Sequence, residues 1–168
     1  MAVKKVLLLG DPRLYEASAL VTREELESLR PVVTDLHDTL MDFRNRYGAG
    51  RAIAAPQIGV FKRLLYMYID RPVVFINPSL EFVGDEQIEL WDDCLCFPEL
   101  LVKVRRYQRC VIRYRDLQWQ ERELHLEGDL SELLQHEYDH LDGVLATMRA
   151  VDGKALAFRS QRPKLTES

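Results

Sequence analysis

The stretch Gln135-His136-Glu137-Tyr138-Asp139-His140 sits inside a longer pattern, Gly128-Asp129 to Gly143, that reads as one short helix. Asp129 is placed to cap it, Glu132 completes an Asp-x-x-Glu box, and Gly143 is placed to end it. Residues four apart share a helix face, so His136 and His140 can bind one ion. Glu137 then lies beside that ion without ligating it. A carboxylate so placed can take the proton from a water that the cation has acidified. The competing reading is a solvated helix face that happens to carry His and Glu, and the capping signals weigh against it.

Working outward, Thr22-Arg-Glu-Glu25 has the form of a capping box, and Leu36, Leu40, Phe43 and Tyr47 recur at helical spacing. The pattern predicts a helix from Pro31 to Tyr47, ended by Gly48-Ala49-Gly50. After a loop, strand-like composition appears over Leu64–Ile69, Val73–Ile76, Leu80–Trp91, Leu101–Val104, Cys110–Arg115 and Trp119–Leu126. Their close spacing favours antiparallel pairing. The fold class is therefore α+β with antiparallel β-sheets, in one domain over residues 1–168. The polar tail from Arg159 to Ser168 is expected to fray.

The net charge of −4 with 30% charged residues carries no basic footprint, so no direct nucleic-acid binding is predicted. Near the N-terminus the apolar run Val6-Leu7-Leu8-Leu9 is too short for a signal-peptide core or a membrane span. The cytoplasm is the expected compartment. Three cysteines, an odd count, read there as thiols or ligands rather than as a disulfide framework.

Two histidines leave a catalytic ion one protein ligand short. Downstream, Gly143 fits an extended protease pattern, but Ala146 stands where a third His is required. The only glutamate after Glu137 is Glu167, Asp142 points off the His face, and Asp152 stays open as a weak donor. Upstream, Cys94 lies in Trp91-Asp-Asp-Cys-Leu-Cys-Phe-Pro98, and a thiol beside a divalent cation is deprotonated and strongly bound. Taken alone, Cys94 and Cys96 more often read as buried structural thiols.

Three segments in order, Gly50-Arg-Ala-Ile-Ala-Ala-Pro-Gln57, Asp92-Asp-Cys-Leu-Cys96 and Gln135-His-Glu-Tyr-Asp-His140, together resemble the peptide deformylase family. Gly10-Asp-Pro-Arg-Leu14 is similar to the family's N-terminal start, so the resemblance spans Val6 to Arg149. It implies the family's fold, antiparallel β-sheets packed around a central metal-binding helix, and a metal-dependent amide hydrolase that removes the formyl group from the N-terminal methionine of new polypeptides. The implied cofactor is one divalent ion: Fe2+ in the cell, with Zn2+, Ni2+ or Co2+ in purified material. The implied partner is an N-formylated peptide or nascent-chain terminus, with transient association with the ribosome. Residue by residue, Cys94, His136 and His140 match the metal ligands and Glu137 the general acid/base. Gln57 and the backbone N–H of Leu95 match the two donors to the developing oxyanion. Without the other segments, Gln57 would read as a loop amide satisfying a backbone group.

Family members commonly have Gly at Ala52, Glu-Gly at Asp92-Asp93 and Ser at Cys96; none of these departures removes a metal ligand. The change at Asp93 alters the loop presenting Cys94 and Leu95 if that position needs a positive φ. Asp129, Glu132 and Leu133 lie seven, four and three residues before His136, hence on its face, and are expected to line the approach to the metal. With Gly50, Arg51 and Leu90 they match the wall of the family's side-chain pocket, whose helix positions are typically apolar. In this register Arg51 pairs with Asp129 or Glu132 across the pocket mouth. The competing arrangement has Asp129 as a cap only, Arg51 and Glu132 in solvent, and Leu90 with Leu133 forming an ordinary pocket. Two other functions stay open: a zinc peptidase, and a deformylase-like metal-binding protein without turnover.

Overall fold

The computed structural model describes residues 2–166. Helix α1 spans Leu26–Tyr47 and helix α2 spans Asp129–Leu141. The strands are β1 (Ala52–Ala54), β2 (Leu64–Tyr68), β3 (Pro72–Phe82), β4 (Gln87–Asp92), β5 (Leu100–Tyr107), β6 (Arg109–Arg115), β7 (Glu121–Glu127) and β8 (Leu156–Phe158). They form a five-stranded sheet in the order β1-β2-β3-β6-β7 and a three-stranded sheet in the order β4-β5-β8. Every pairing within the two sheets is antiparallel.

Helix α1 begins before Pro31. A 3-10 turn over Arg23–Glu25, in which the Glu25 carboxylate accepts the Thr22 backbone N–H at 3.1 Å, leads directly into it. Pro31 falls in the second turn on the exposed side, where the carbonyl it leaves without a helical partner faces water. Leu29, Leu36, Leu40 and Phe43 form the buried stripe. Gly48 ends the helix in a left-handed conformation, its N–H bonded to the Arg44 carbonyl at 2.8 Å.

The predicted strand over Leu80–Trp91 is in fact two. Strand β3 absorbs both Val73–Ile76 and Leu80–Phe82, with a register shift between Ile76 and Ser79. Asn77, at φ 49°, fills the irregularity by accepting the Val21 N–H and donating to the Val21 carbonyl, both at 2.8 Å. The chain then turns through Val83-Gly84-Asp85-Glu86 and enters the other sheet as β4. Trp119, at φ 63°, belongs to the turn before β7. The short edge strands β1 and β8 have no counterpart among the predicted segments.

Strand β2 explains how the layers stack. Leu64 and Tyr66 face the cluster under α1, while Leu65 and Met67 face the cluster under α2, so the strand is buried on both sides. A third cluster, including Leu14, Phe97, Val102, Val104 and Leu145, lies against the smaller sheet. Helix α2 packs against β1 and β7 of one sheet and β5 of the other, which makes it the central element. Gly143, just past its end, allows the chain to pass Tyr15, whose carbonyl oxygen would lie 2.4 Å from an added Cβ.

Two expectations at chain ends need correction. Gly128 is the N-cap of α2 and no side chain caps it; Asp129 is the first helical residue and points outward. The tail is tied down as far as it is described: Arg159–Lys164 forms a 3-10 helix, and Arg159 bonds the Pro98 carbonyl at 2.7 Å and Asp93 at 2.9 Å. Residues 167–168 lie outside the described residues. Among the described residues, no helix is long and apolar enough to cross a membrane.

Candidate active site

His136 and His140 stand one turn apart on α2, with ring centroids 5.1 Å from each other. The turn after β4 brings Cys94 to them, with its Sγ 3.3 Å from His140 Nε2. One ligand atom from each of the three residues lies within 4.8 Å of the others, and all three side chains are buried. The remaining downstream donors are engaged elsewhere: Asp142 pairs with Arg63 at 3.0 Å, and Asp152 accepts the Lys154 N–H. The donor set is therefore Cys94, His136 and His140.

The chemistry of these donors fits a cation. Burial, with the neighbouring Cys96, pushes the Cys94 thiol well up, so a thiolate here requires a positive partner. Burial and the charge of His136 hold His140 well down, leaving it neutral and free to ligate. Burial also opposes the charging of His136, but Asp92 outweighs it and pushes the ring up to about 10. The contact is Nδ1 to Asp92 Oδ2 at 2.8 Å, which leaves Nε2 for the ion and increases the basicity of the ring.

Behind Asp92 runs a buried chain of alternating charge. Arg106 on β5 reaches Asp92 at 3.2 Å and Asp139 at 2.8 Å, and Arg149 closes on Asp139 at 2.9 Å. Each buried ion thus has an opposite partner, the condition under which burial is tolerated. None of this chain was assigned from the sequence. The available signal was alternation along β5, where Val102, Val104 and Arg106 share the inward face. We expect Asp92→Asn to weaken metal binding by roughly 10–100-fold with the fold intact, since it loosens the partner that orients His136. Competition with a chelator measures this, and an unchanged affinity would make Asp92 a purely structural residue.

Glu137 is enclosed, and its Oε1 has no hydrogen-bond partner. Burial pushes it up to about 7, with the positive charge of His136 acting the other way. Gln57, also buried, is oriented by accepting the Ala54 N–H at 2.8 Å. This directs its Nε2 towards Cys96 Sγ at 3.3 Å and Cys94 Sγ at 3.6 Å. Among the described residues, the Leu95 N–H has no acceptor.

A cavity of about 370 Å³ opens onto this group, lined in part by Gly50, Arg51, Leu95, Leu133, His136 and Glu137. Three expected wall residues stand elsewhere. Leu90, on the same face of β4 as Asp92, packs against the third core cluster. Asp129 is exposed at the start of α2. Glu132 lies behind the wall, bonded through Oε1 to Arg51 Nη2 at 2.8 Å. Of the two carboxylates considered for Arg51, Glu132 is the one that pairs.

A three-donor metal set on a central helix, with an unpartnered buried acid beside it and a cavity in front, defines a metal-dependent hydrolase. The sequence profile of the polypeptide deformylase family matches residues 3–155, and the chain belongs to that family. It is 37% identical to peptide deformylase 1 of Prochlorococcus marinus (strain MIT 9313), over 96% of this chain and 88% of that protein. It is 32% identical to a peptide deformylase of Thermotoga neapolitana, over 98% and 97% of the two chains. The crystal structure of peptide deformylase from Thermotoga maritima superposes with a TM-score of 0.82 at 30% identity, covering 90% of this chain and all of that one.

Proposed function

We propose that the protein hydrolyses the N-terminal formyl group of formylated peptides and nascent chains. The observation that carries this reading is the enclosed Glu137 carboxylate, with a free Oε1, immediately beside the Cys94–His136–His140 set. Cys94, His136 and His140 would hold a divalent cation, which would supply positive charge to polarise a carbonyl and acidify a water. A soft thiolate with two imidazoles suits Fe2+, Zn2+, Ni2+ or Co2+, with Fe2+ our choice for the cell. Three cysteines, all unpaired, suit a reducing compartment such as the cytoplasm.

The residues divide the work as follows. Glu137 takes a proton as water oxygen adds to the formyl carbon, and its elevated pKa suits both accepting and returning that proton near neutrality. Gln57 Nε2 and the Leu95 N–H donate to the oxygen that becomes negative. As the C–N bond breaks, Glu137 gives the proton to the leaving amine, and the products are formate and a free amino terminus. Incubating metal-loaded protein with a formylated peptide and measuring formate beside metal content tests the reading. Full metal occupancy with no formate would replace it with that of a metal-binding module.

Gln57→Leu is expected to lower kcat by roughly 10²–10³-fold with metal retained, the usual size for losing one oxyanion donor. Steady-state kinetics on the metal-loaded variant provides the check. A change confined to KM would make Gln57 a ground-state binding residue.

A further inference from the structure

Between the end of β4 at Asp92 and the start of β5 at Leu100, the chain leaves the sheet to present the Cys94 thiol and the Leu95 N–H. A donor kept free for the reaction cannot be held by a hydrogen bond of its own, so its position has to come from what grips the backbone on either side. Inside the loop one backbone bond, from Phe97 N–H to the Cys94 carbonyl at 3.1 Å, closes a turn, and Leu9 N–H donates to the Cys96 carbonyl at 2.9 Å. The outer grip is a single guanidinium. Arg159, immediately after β8, donates from Nη2 to the Asp93 carboxylate at 2.9 Å and from Nε to the Pro98 carbonyl at 2.7 Å, and its backbone N–H donates to the Glu99 carbonyl at 2.8 Å. Nε and Nη2 lie on one edge of a rigid plane, so the two bonds fix the ends of the loop relative to each other. Phe158, the residue before, is paired in register with Leu100, so the clamp is anchored to the sheet from which the loop departs. Asp93 takes no positive φ, so its carboxylate, rather than any backbone freedom, is what residue 93 contributes.

We propose that Arg159 is a positioning residue for the hydrolysis: by clamping Asp93 and Pro98 it holds the Leu95 N–H at the oxygen that becomes negative. The inference rests on the hydrolase reading above. Cys94 gains a second anchor when it ligates a cation, whereas Leu95 gains none, so the placement that depends most on the clamp is that of the oxyanion donor. A displaced N–H loses most where the hydrogen bond is strongest, which is in the transition state and not in the bound substrate. The effect of Arg159 therefore falls on kcat rather than on KM. With its side chain 25% exposed and that of Asp93 39% exposed, the pair contributes little to the stability of the whole fold.

The test compares the unaltered protein with Arg159→Gln, Arg159→Lys, Asp93→Ala and the double variant Arg159→Gln/Asp93→Ala, each metal-loaded and supplied with a formylated peptide beginning with Met. Metal content, melting temperature and hydrogen exchange over residues 93–98 are measured beside kcat and KM. Arg159→Gln is expected to lower kcat by roughly 10–100-fold with KM within about 3-fold, at full metal occupancy and a nearly unchanged melting temperature. Arg159→Lys is expected to behave alike, because one ammonium cannot reproduce the two-pronged fork, and exchange over the loop is expected to quicken in both. Asp93→Ala, which removes one arm, is expected to cost less, and the double variant no more than Arg159→Gln alone, because Asp93 acts through Arg159. An unchanged kcat in Arg159→Gln, full activity in Arg159→Lys, or losses at the two positions that multiply in the double variant overturns the inference. A fall in kcat that tracks lost metal or a collapsed melting temperature also overturns it, making Arg159 a support of Cys94 or of the fold. Each of these results leaves the hydrolase reading standing, whereas release of no formate by the unaltered protein overturns both.

Discussion

Cys94→Ala is expected to abolish stoichiometric metal binding and, with it, formate release. The variant keeps His136 and His140, two ligands where a catalytic ion of this kind uses three, and the lost ligand is the one that becomes an anion. The fall in affinity is expected to exceed the roughly 10–100-fold typical of losing an outer-shell partner. Elemental analysis of dialysed protein reads this directly. Cys96 is the natural substitute, since Gln57 Nε2 contacts both sulfurs, so the experiment includes Cys94→Ala/Cys96→Ala. Metal retained by the single variant and lost by the double would assign the third ligand to Cys96. Metal retained by both would dissolve the site as described.

Glu137→Gln is expected to keep the metal and lose roughly 10²–10⁴-fold in kcat, the range for removing a general acid/base. The amide has nearly the same shape but cannot accept a proton from water or return one to an amine. The same substitution is expected to leave the melting temperature equal or higher. In the folded protein the carboxylate is fully enclosed, and one of its oxygens has no hydrogen bond, so ionising it works against stability. Higher stability with lower turnover is the expected signature of a group kept for chemistry rather than for folding. Near-normal formate release from the variant would remove Glu137 from the mechanism, and a large loss of stability would mark it as a structural residue.

The buried charge chain bears on both experiments. Asp92 is held below the usual carboxylate range even though burial pushes it upward, because His136 and Arg106 both favour its charged form. Arg106 in turn is shared with Asp139, one residue before His140 on the same helix. The two histidines are thus supported from both ends of one network, one by a direct bond and the other through the helix backbone. Substitutions at Cys94 or Glu137 leave this support untouched, so their effects can be read as those of the substituted group.

The sequence by itself determined the elements whose signal is local. The His136–His140 spacing, Glu137 between them and the stop at Gly48 follow from helical periodicity and from the backbone needs of helix ends, which a few consecutive residues specify. The fold class was legible because two helical patterns and a run of short strands allow few arrangements. The three ordered motifs named the donors, Cys94 included, and the family. Only the tertiary structure decided what depends on register between distant segments. The turn at Val83–Glu86 moves the chain from one sheet to the other, and that switch sets Cys94 against His140 and Asp92 against His136. Pro31 lies within a helix because a capped 3-10 turn precedes it and its exposed side can lose a backbone bond to water. Arg51 pairs with Glu132 rather than Asp129 because β1 runs beside α2 at the level where Glu132 is buried and Asp129 is not. An unpaired carboxylate costs most where water cannot reach it, so the tertiary structure places the cation beside Glu132.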